Sequence, residues 1–175
     1  MIDWREKFST LQKKLSEDTE IAITNFLKEE APQDEISSLI SKFPHIDQDY
    51  INFLRISNGA CLGQLTFAGT VSCKLGSIEK LSSRWLKMGL GMEFIVFAGD
   101  AGGAGLAFDQ KNSIFAIFPR KEAALLCTGF TKFFNEFLTG PRLPELVVKF
   151  GESEGRNEWS AFIKTLGWDK SDSVQ

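Results

Sequence analysis

The chain has 175 residues, of which 43% are hydrophobic and 25% charged, a composition typical of one soluble globular domain. Its formal net charge of −3 argues against sequence-independent binding of DNA or RNA, which requires clustered lysine and arginine. The N-terminus lacks an apolar signal core, and no stretch approaches membrane-spanning length. Cys61, Cys73 and Cys127 have no CxxC spacing, so we expect free thiols and a cytoplasmic location.

Two segments near the N-terminus are predicted to form secondary structure, the first a helix and the second either a helix or a strand. An apolar stripe at helical spacing predicts a helix over residues 4–16, and Asp3 and Glu6 are spaced as a capping box at its start. Residues 20–30 fit either a helix or a strand, because their isoleucines also alternate. Both alternatives therefore stay open for that segment.

Two further helices are predicted before the middle of the chain. Asp34 is placed to cap the first, and Pro44 ends it, because a proline disfavours helical conformation in the residue before it. Asp47 is placed to cap the second. Asn58 and Gly59 end that helix, since they tolerate the left-handed backbone conformation.

After Gly59 the pattern changes to short apolar runs separated by Gly, Asn and Asp. This pattern predicts an antiparallel meander. A short helix over residues 81–88 is expected between strands. The predicted strands are residues 64–68, 70–75, 94–98, 106–109 and 113–118.

The C-terminal part is predicted to be helical. Four phenylalanines and a leucine form one apolar helical face over residues 130–138, which Gly140 and Pro141 end. A last helix is predicted over residues 157–166, whereas residues 146–150 fit no single pattern.

The order of these elements predicts the fold class. Helices, then a run of strands, then helices indicate an α+β domain whose mainly antiparallel sheet is flanked by N-terminal and C-terminal helices. We expect one such domain over residues 1–168, followed by a polar tail over residues 169–175.

The glycine-rich loop at residues 99–105 has the composition of a phosphate-binding loop but not its context. It leads into a strand rather than a helix, and it contains no lysine. We interpret it as a hairpin turn that needs positive backbone angles. Asp100 is interpreted as a turn-former, with a general base as the alternative.

Catalytic and metal-binding residues are not indicated by the sequence. His45 is the only histidine and is interpreted as a loop residue, and no Cys or His cluster has metal-ligand spacing. The apolar face over residues 130–138 could form a partner groove, but a core face is preferred. A site built from carboxylates alone stays open, although we assign the grouped acids to helix ends, where acids complement the dipole: Glu17, Asp18, Glu20, Asp47 and Asp49.

Several short motifs follow one another in a fixed order. They are YINFL (residues 50–54), SNG (residues 57–59), a glycine-bearing hairpin (residues 94–109) and FFNEFL (residues 133–138). With the preceding helix that ends at Pro44, this order resembles the SUKH superfamily of Smi/Knr-type proteins. The resemblance spans about residues 4–138.

The resemblance implies both a fold and a role. SUKH proteins have an α+β fold with a mainly antiparallel sheet flanked by helices. Many bacterial members are immunity proteins that bind and neutralise a toxin, and fungal relatives regulate cell-wall synthesis and signalling. The family pattern defines no active site, and the residues of this chain that match it are at positions that look structural: Asn58, Gly59, Gly103, Gly105 and Asp109.

We therefore expect a cytoplasmic immunity protein that occludes a cognate toxin, for example a nuclease with a basic cleft. Glu93 and Asp100 are the predicted partner contacts. No catalytic residue, cofactor, metal, nucleic acid or membrane partner is expected. The alternatives are a general interaction or scaffold domain of Smi/Knr type without a toxin partner, and an enzyme of unrecognised class.

Overall fold

The computed structural model describes residues 3–151 and 157–170, so most of the predicted polar tail lies outside the described residues. A seven-stranded antiparallel sheet organises the fold, and each strand pairs with the next one in the chain. The predicted meander is therefore confirmed. The strands are Phe26–Leu27 (β1), Ala60–Leu62 (β2), Leu65–Phe67 (β3), Ile95–Asp100 (β4), Gly105–Phe108 (β5), Ser113–Ile117 (β6) and Ala124–Thr128 (β7).

Along the chain, helices come before the first strand, between some of the strands and after the last strand. This order confirms the predicted α+β class. Within the described residues, no helix combines the length and the apolar character needed to span a bilayer. The π-helical segment Phe133–Leu138 continues directly from α6. The helices are Trp4–Glu17 (α1), Ile21–Thr24 (α2), Gln33–Lys42 (α3), Gln48–Leu54 (α4), Ile78–Lys87 (α5), Phe130–Lys132 (α6), Leu143–Lys149 (α7) and Glu158–Thr165 (α8).

The strand predicted over residues 70–75 is wrong, because these residues form an irregular loop. The backbone amide of Thr70 donates to the Asn58 side chain at 2.8 Å, and the amide of Ser72 donates to the Glu35 carboxylate at 3.1 Å. Polar side chains therefore satisfy this backbone in place of a neighbouring strand.

The predicted helix caps are confirmed only in part. Asp47 caps α4, since its carboxylate accepts hydrogen bonds from two amides of the first turn at 2.8 and 3.2 Å. Asp3 caps α1 but accepts from the amide of Arg5 rather than from Glu6, as a capping box would require. The cap predicted at Asp34 is wrong, because α3 begins at Gln33 and its N-cap residue is Pro32, two residues before Asp34.

The main core lies on one face of the sheet, beneath α1, α4 and α6. The ring of Phe53 lies 5.5 Å from those of Phe8 and Phe130, and Phe97 stacks on Phe108 at 4.1 Å. A smaller cluster on the opposite face packs under α5. The residues predicted to be buried are confirmed: Phe53, Leu54, Phe133, Phe134 and Phe137.

The π-helical segment is held at its end by a buried lysine. The ammonium group of Lys7 donates to the carbonyl oxygens of Asn135 and Thr139 at 3.2 and 3.1 Å. Gly140 follows, and a Cβ there would lie 1.9 Å from the Asn135 oxygen, so a larger residue cannot fit without a backbone shift. These hydrogen bonds hold α1 against the C-terminal end of the π-helical segment.

Candidate functional site

The two acids predicted to contact a partner lie at opposite ends of β4. Glu93 precedes the strand and Asp100 is its last residue, so they are roughly 20 Å apart at the rise of an extended chain. Glu93 is exposed, and its carboxylate pairs with no other described residue. The Asp100 carboxylate accepts a hydrogen bond from the amide of Ala104 at 2.7 Å. The two residues therefore do not form one surface cluster.

The glycine-rich loop joins antiparallel strands β4 and β5, which confirms its interpretation as a hairpin turn. Gly103 has φ +86°, and a Cβ on Gly105 would lie 2.8 Å from a carbonyl oxygen of β4. Asp109 closes the following turn, where its carboxylate accepts from two amides at 2.8 Å. The acids in these turns therefore have structural partners.

A polar cluster fastens the loop over residues 70–74. The Asn58 amide donates to the Thr70 hydroxyl at 2.9 Å, and the Ser72 hydroxyl donates to the Glu35 carboxylate at 2.8 Å. The Thr70 hydroxyl also donates to Glu35 and is the main reason that the pKa of this carboxyl lies below its ordinary value. Asn58 therefore acts in the fold, in agreement with the structural role expected for its motif.

The other residues that the sequence analysis considered as possible site residues lie in a loop or join helices. His45 is exposed in the loop between α3 and α4, as its interpretation as a loop residue predicts. Asp47 accepts from the amide of Phe130 at 3.2 Å, and Asp49 accepts from Arg5 at 3.0 Å, so these acids join α4 to α6 and α1.

The cysteines are free thiols, as predicted. Burial, followed by the nearby Glu136 carboxylate, raises the pKa of the Cys127 thiol to about 12. Among residues 3–151 and 157–170, no three side chains of His, Cys, Asp or Glu are grouped so that they could hold a metal ion.

An open groove of about 910 Å³ lies between the C-terminal end of α1, helix α2 and helix α8. We call it the α2–α8 groove. Its apolar floor is made by Ile21 and Leu166, which are half-buried, and by Phe162, of which 7% is exposed. Ala161 and Thr165 form an exposed wall on α8. The charged residues of its lining are Lys14, Glu17, Asp18, Glu20 and Glu158.

The carboxylates of this groove differ in their partners. Glu17 pairs with Lys14 at 3.1 Å, and Asp18 accepts from the amides of Glu20 and Ile21 at the start of α2. The carboxylates of Glu20 and Glu158 form no hydrogen bond or ion pair with another residue in the described ranges. Two acids are therefore available at the rim.

The lining of the groove carries a formal negative charge. One basic and four acidic residues give it a formal charge of −3, whereas the whole chain has 20 basic and 23 acidic residues. The rest of the chain thus carries 19 of each sign. The lining of the α2–α8 groove is therefore acidic around its apolar floor.

The sequence interpretation of these acids is partly corrected by the structure. Glu20 directly precedes α2, and Asp18, which is the C-cap residue of α1, accepts hydrogen bonds from the amides of Glu20 and Ile21 at the start of α2. Glu17, however, is the last residue of α1, where an acid opposes the helix dipole instead of complementing it. The sequence did not connect these residues with Glu158, because only the packing of α8 against α2 brings it to the same groove.

No protein-family model matches this chain, and no curated protein matches it. The resemblance to the SUKH superfamily therefore stays a prediction.

Proposed function

We propose that this protein is a non-catalytic, cytoplasmic immunity protein that binds a cognate protein toxin and blocks it sterically. The observation that carries the proposal is the acidic lining of the α2–α8 groove, in which four carboxylates and one lysine surround an apolar floor. Complementary charge steers two proteins together and fixes their register, and an apolar floor adds contact that excludes water. The groove offers both.

The class of toxin follows from the sign of the charge. An enzyme that acts on an anionic substrate such as a nucleic acid presents a basic surface, and an acidic groove is its electrostatic complement. A stable interface buries about 800 Å² on each partner. The contact must therefore extend from the groove onto the exposed faces of the helices around it.

The order of the motifs supports the same proposal. It is the basis of the resemblance of this chain to the SUKH superfamily, and immunity proteins are common among the bacterial members of that superfamily. A general interaction domain of Smi/Knr type is the second candidate, since the same groove would serve any basic partner.

Co-expression tests the proposed function. Each neighbouring gene that encodes a candidate toxin is expressed in bacteria with and without this protein, and survival and co-purification are measured. We expect one candidate to be lethal alone, tolerated with this protein, and recovered with it in a stable complex. An unrelated acidic protein of similar size and charge is the control. If every candidate stays lethal and none co-purifies, the immunity proposal fails.

A further inference from the structure

We infer that the α2–α8 groove docks one basic segment of the partner, with an apolar side chain on the floor and lysine or arginine side chains at the rim. The inference rests on the proposed function for the identity of the partner. It adds the site of contact and the chemistry of the segment that occupies it. It also moves the predicted contact away from Glu93 and Asp100.

The floor defines the apolar part of the occupant. The ring of Phe162 packs on Trp159 with centroids 5.6 Å apart, so the core supports the floor from behind. Ile21 and Leu166 line the same groove and remain half-buried. A side chain of leucine size can cover this surface, and removing apolar surface from water favours binding.

The rim defines the charged part of the occupant. Glu17 and Asp18 already have partners, whereas Glu20 and Glu158 pair with no other described residue. Glu20 comes just before α2 and Glu158 is the first residue of α8, so the two acids lie at the starts of two of the helices that border the groove. A segment with a basic residue on each side of its apolar anchor matches this arrangement.

The segments of this chain outside the described residues do not have that composition. Residues 152–156 contain one arginine and two glutamates, and residues 171–175 contain one aspartate and no basic residue. Neither supplies two basic residues around an apolar side chain. We assign the occupant to the partner protein because a positively charged segment is the electrostatic complement of the acidic rim.

Binding of labelled peptides tests the docking site directly. One probe has two arginines on each side of a leucine pair, and the second has serines in place of the leucines. Affinity is measured by fluorescence anisotropy at low salt. We expect the leucine peptide to bind more tightly than the serine peptide, because only leucine covers the floor.

Variants of the groove test the placement. In the double variant Glu20→Gln and Glu158→Gln, we expect about tenfold weaker binding of the leucine peptide, since two exposed ion pairs are lost. Ala161→Arg should weaken binding by a similar factor, because it adds bulk and positive charge to the exposed wall. Circular dichroism checks that each variant is folded.

Matched controls separate the groove from the rest of the surface. Glu93→Gln with Asp100→Asn removes the same charge elsewhere, and Ser83→Arg adds an arginine to the exposed side of α5. We expect neither to change the affinity by more than about twofold.

The same variants are then tested against the toxin found by co-expression. If the toxin binds wild type and groove variants equally, the docking site is wrong while the proposed function stands. If no toxin is found but the peptide distinguishes the variants, the docking site stands and the immunity function fails. Equal binding of the two peptides would also overturn the inference. The same holds if Mg²⁺ or a polyamine displaces the leucine peptide and the serine peptide equally well.

Discussion

At the scale of single residues, Glu35 shows how one side chain organises a loop that carries no regular structure. Its carboxylate accepts hydrogen bonds from Thr70 and from the amide and hydroxyl of Ser72. Charged acceptors form stronger hydrogen bonds than neutral ones. The ionised carboxylate of Glu35 therefore stabilises the folded loop more than the protonated carboxylic acid does. The sequence could not show this, because Glu35 lies on α3 and its partners follow β3.

Glu35→Gln should lower the free energy of unfolding by about 1 kcal/mol at pH 7, a value limited by solvent around this half-buried group. Because the folded-state pKa lies below the ordinary value of 4.5, the stabilisation is present above that pH. It is lost as the pH falls through the folded-state pKa.

Urea denaturation of both proteins at pH 7 and at low pH measures this effect. The difference between them should shrink in acid. The control is Asp34→Asn on the neighbouring residue, which makes no such contacts in the described chain. A difference that is the same at both pH values would show that the contribution of Glu35 is not its charge.

The thiol of Cys127 is predicted to be unreactive in the folded protein. Its pKa of about 12, against an ordinary 9.0, reduces the thiolate fraction at pH 8 by about 1,000-fold, and the thiolate is the reactive form. Alkylation followed by mass spectrometry should therefore modify half-buried Cys61 well before Cys127. In urea the two should react alike. Comparable rates in the folded state would contradict the burial of Cys127.

At the scale of elements, helices were predicted well where an aromatic face made the period clear. The spacing of the four phenylalanines over residues 130–138 placed the late helix correctly, but it fits α-helical and π-helical turns alike. Strand β7 was not predicted, because its ALLCT sequence shows no alternation. Residues 20–30 contain both α2 and β1, so each of the two open alternatives describes part of that segment.

Helix α4 is predicted to depend on the ring of Phe53. This side chain is 1% exposed and contacts rings from α1, β3 and α6. Phe53→Ala should lower the free energy of unfolding by about 3–5 kcal/mol, since the rigid surroundings cannot close the cavity. Chemical denaturation checks this value, with Ile56→Ala at a partly exposed position of the following turn as the control. A loss below about 1 kcal/mol would contradict a packed core at this site.

At the scale of the whole molecule, the class of fold could be predicted from the order of elements, whereas the candidate site could not. Glu20 and Glu158 are far apart in the sequence, and Glu158 joins Glu20 at one groove only because α8 packs beside α2. Glu93 and Asp100, which are close in the sequence, are separated by the length of β4. The spacing of residues in the sequence therefore cannot predict a site whose residues come from distant segments.

The central claim is that the α2–α8 groove steers a basic toxin to this protein. The most direct test is the association rate constant of the toxin with wild type and with the Glu20→Lys, Glu158→Lys variant, measured over a range of salt concentrations. We expect the variant to associate at least about tenfold more slowly at low salt, because charge steering raises association rates by 10–1,000-fold. The two rates should converge as added salt shortens the screening length to about 8 Å and below. Equal rates at low salt, with both proteins folded, would contradict the claim.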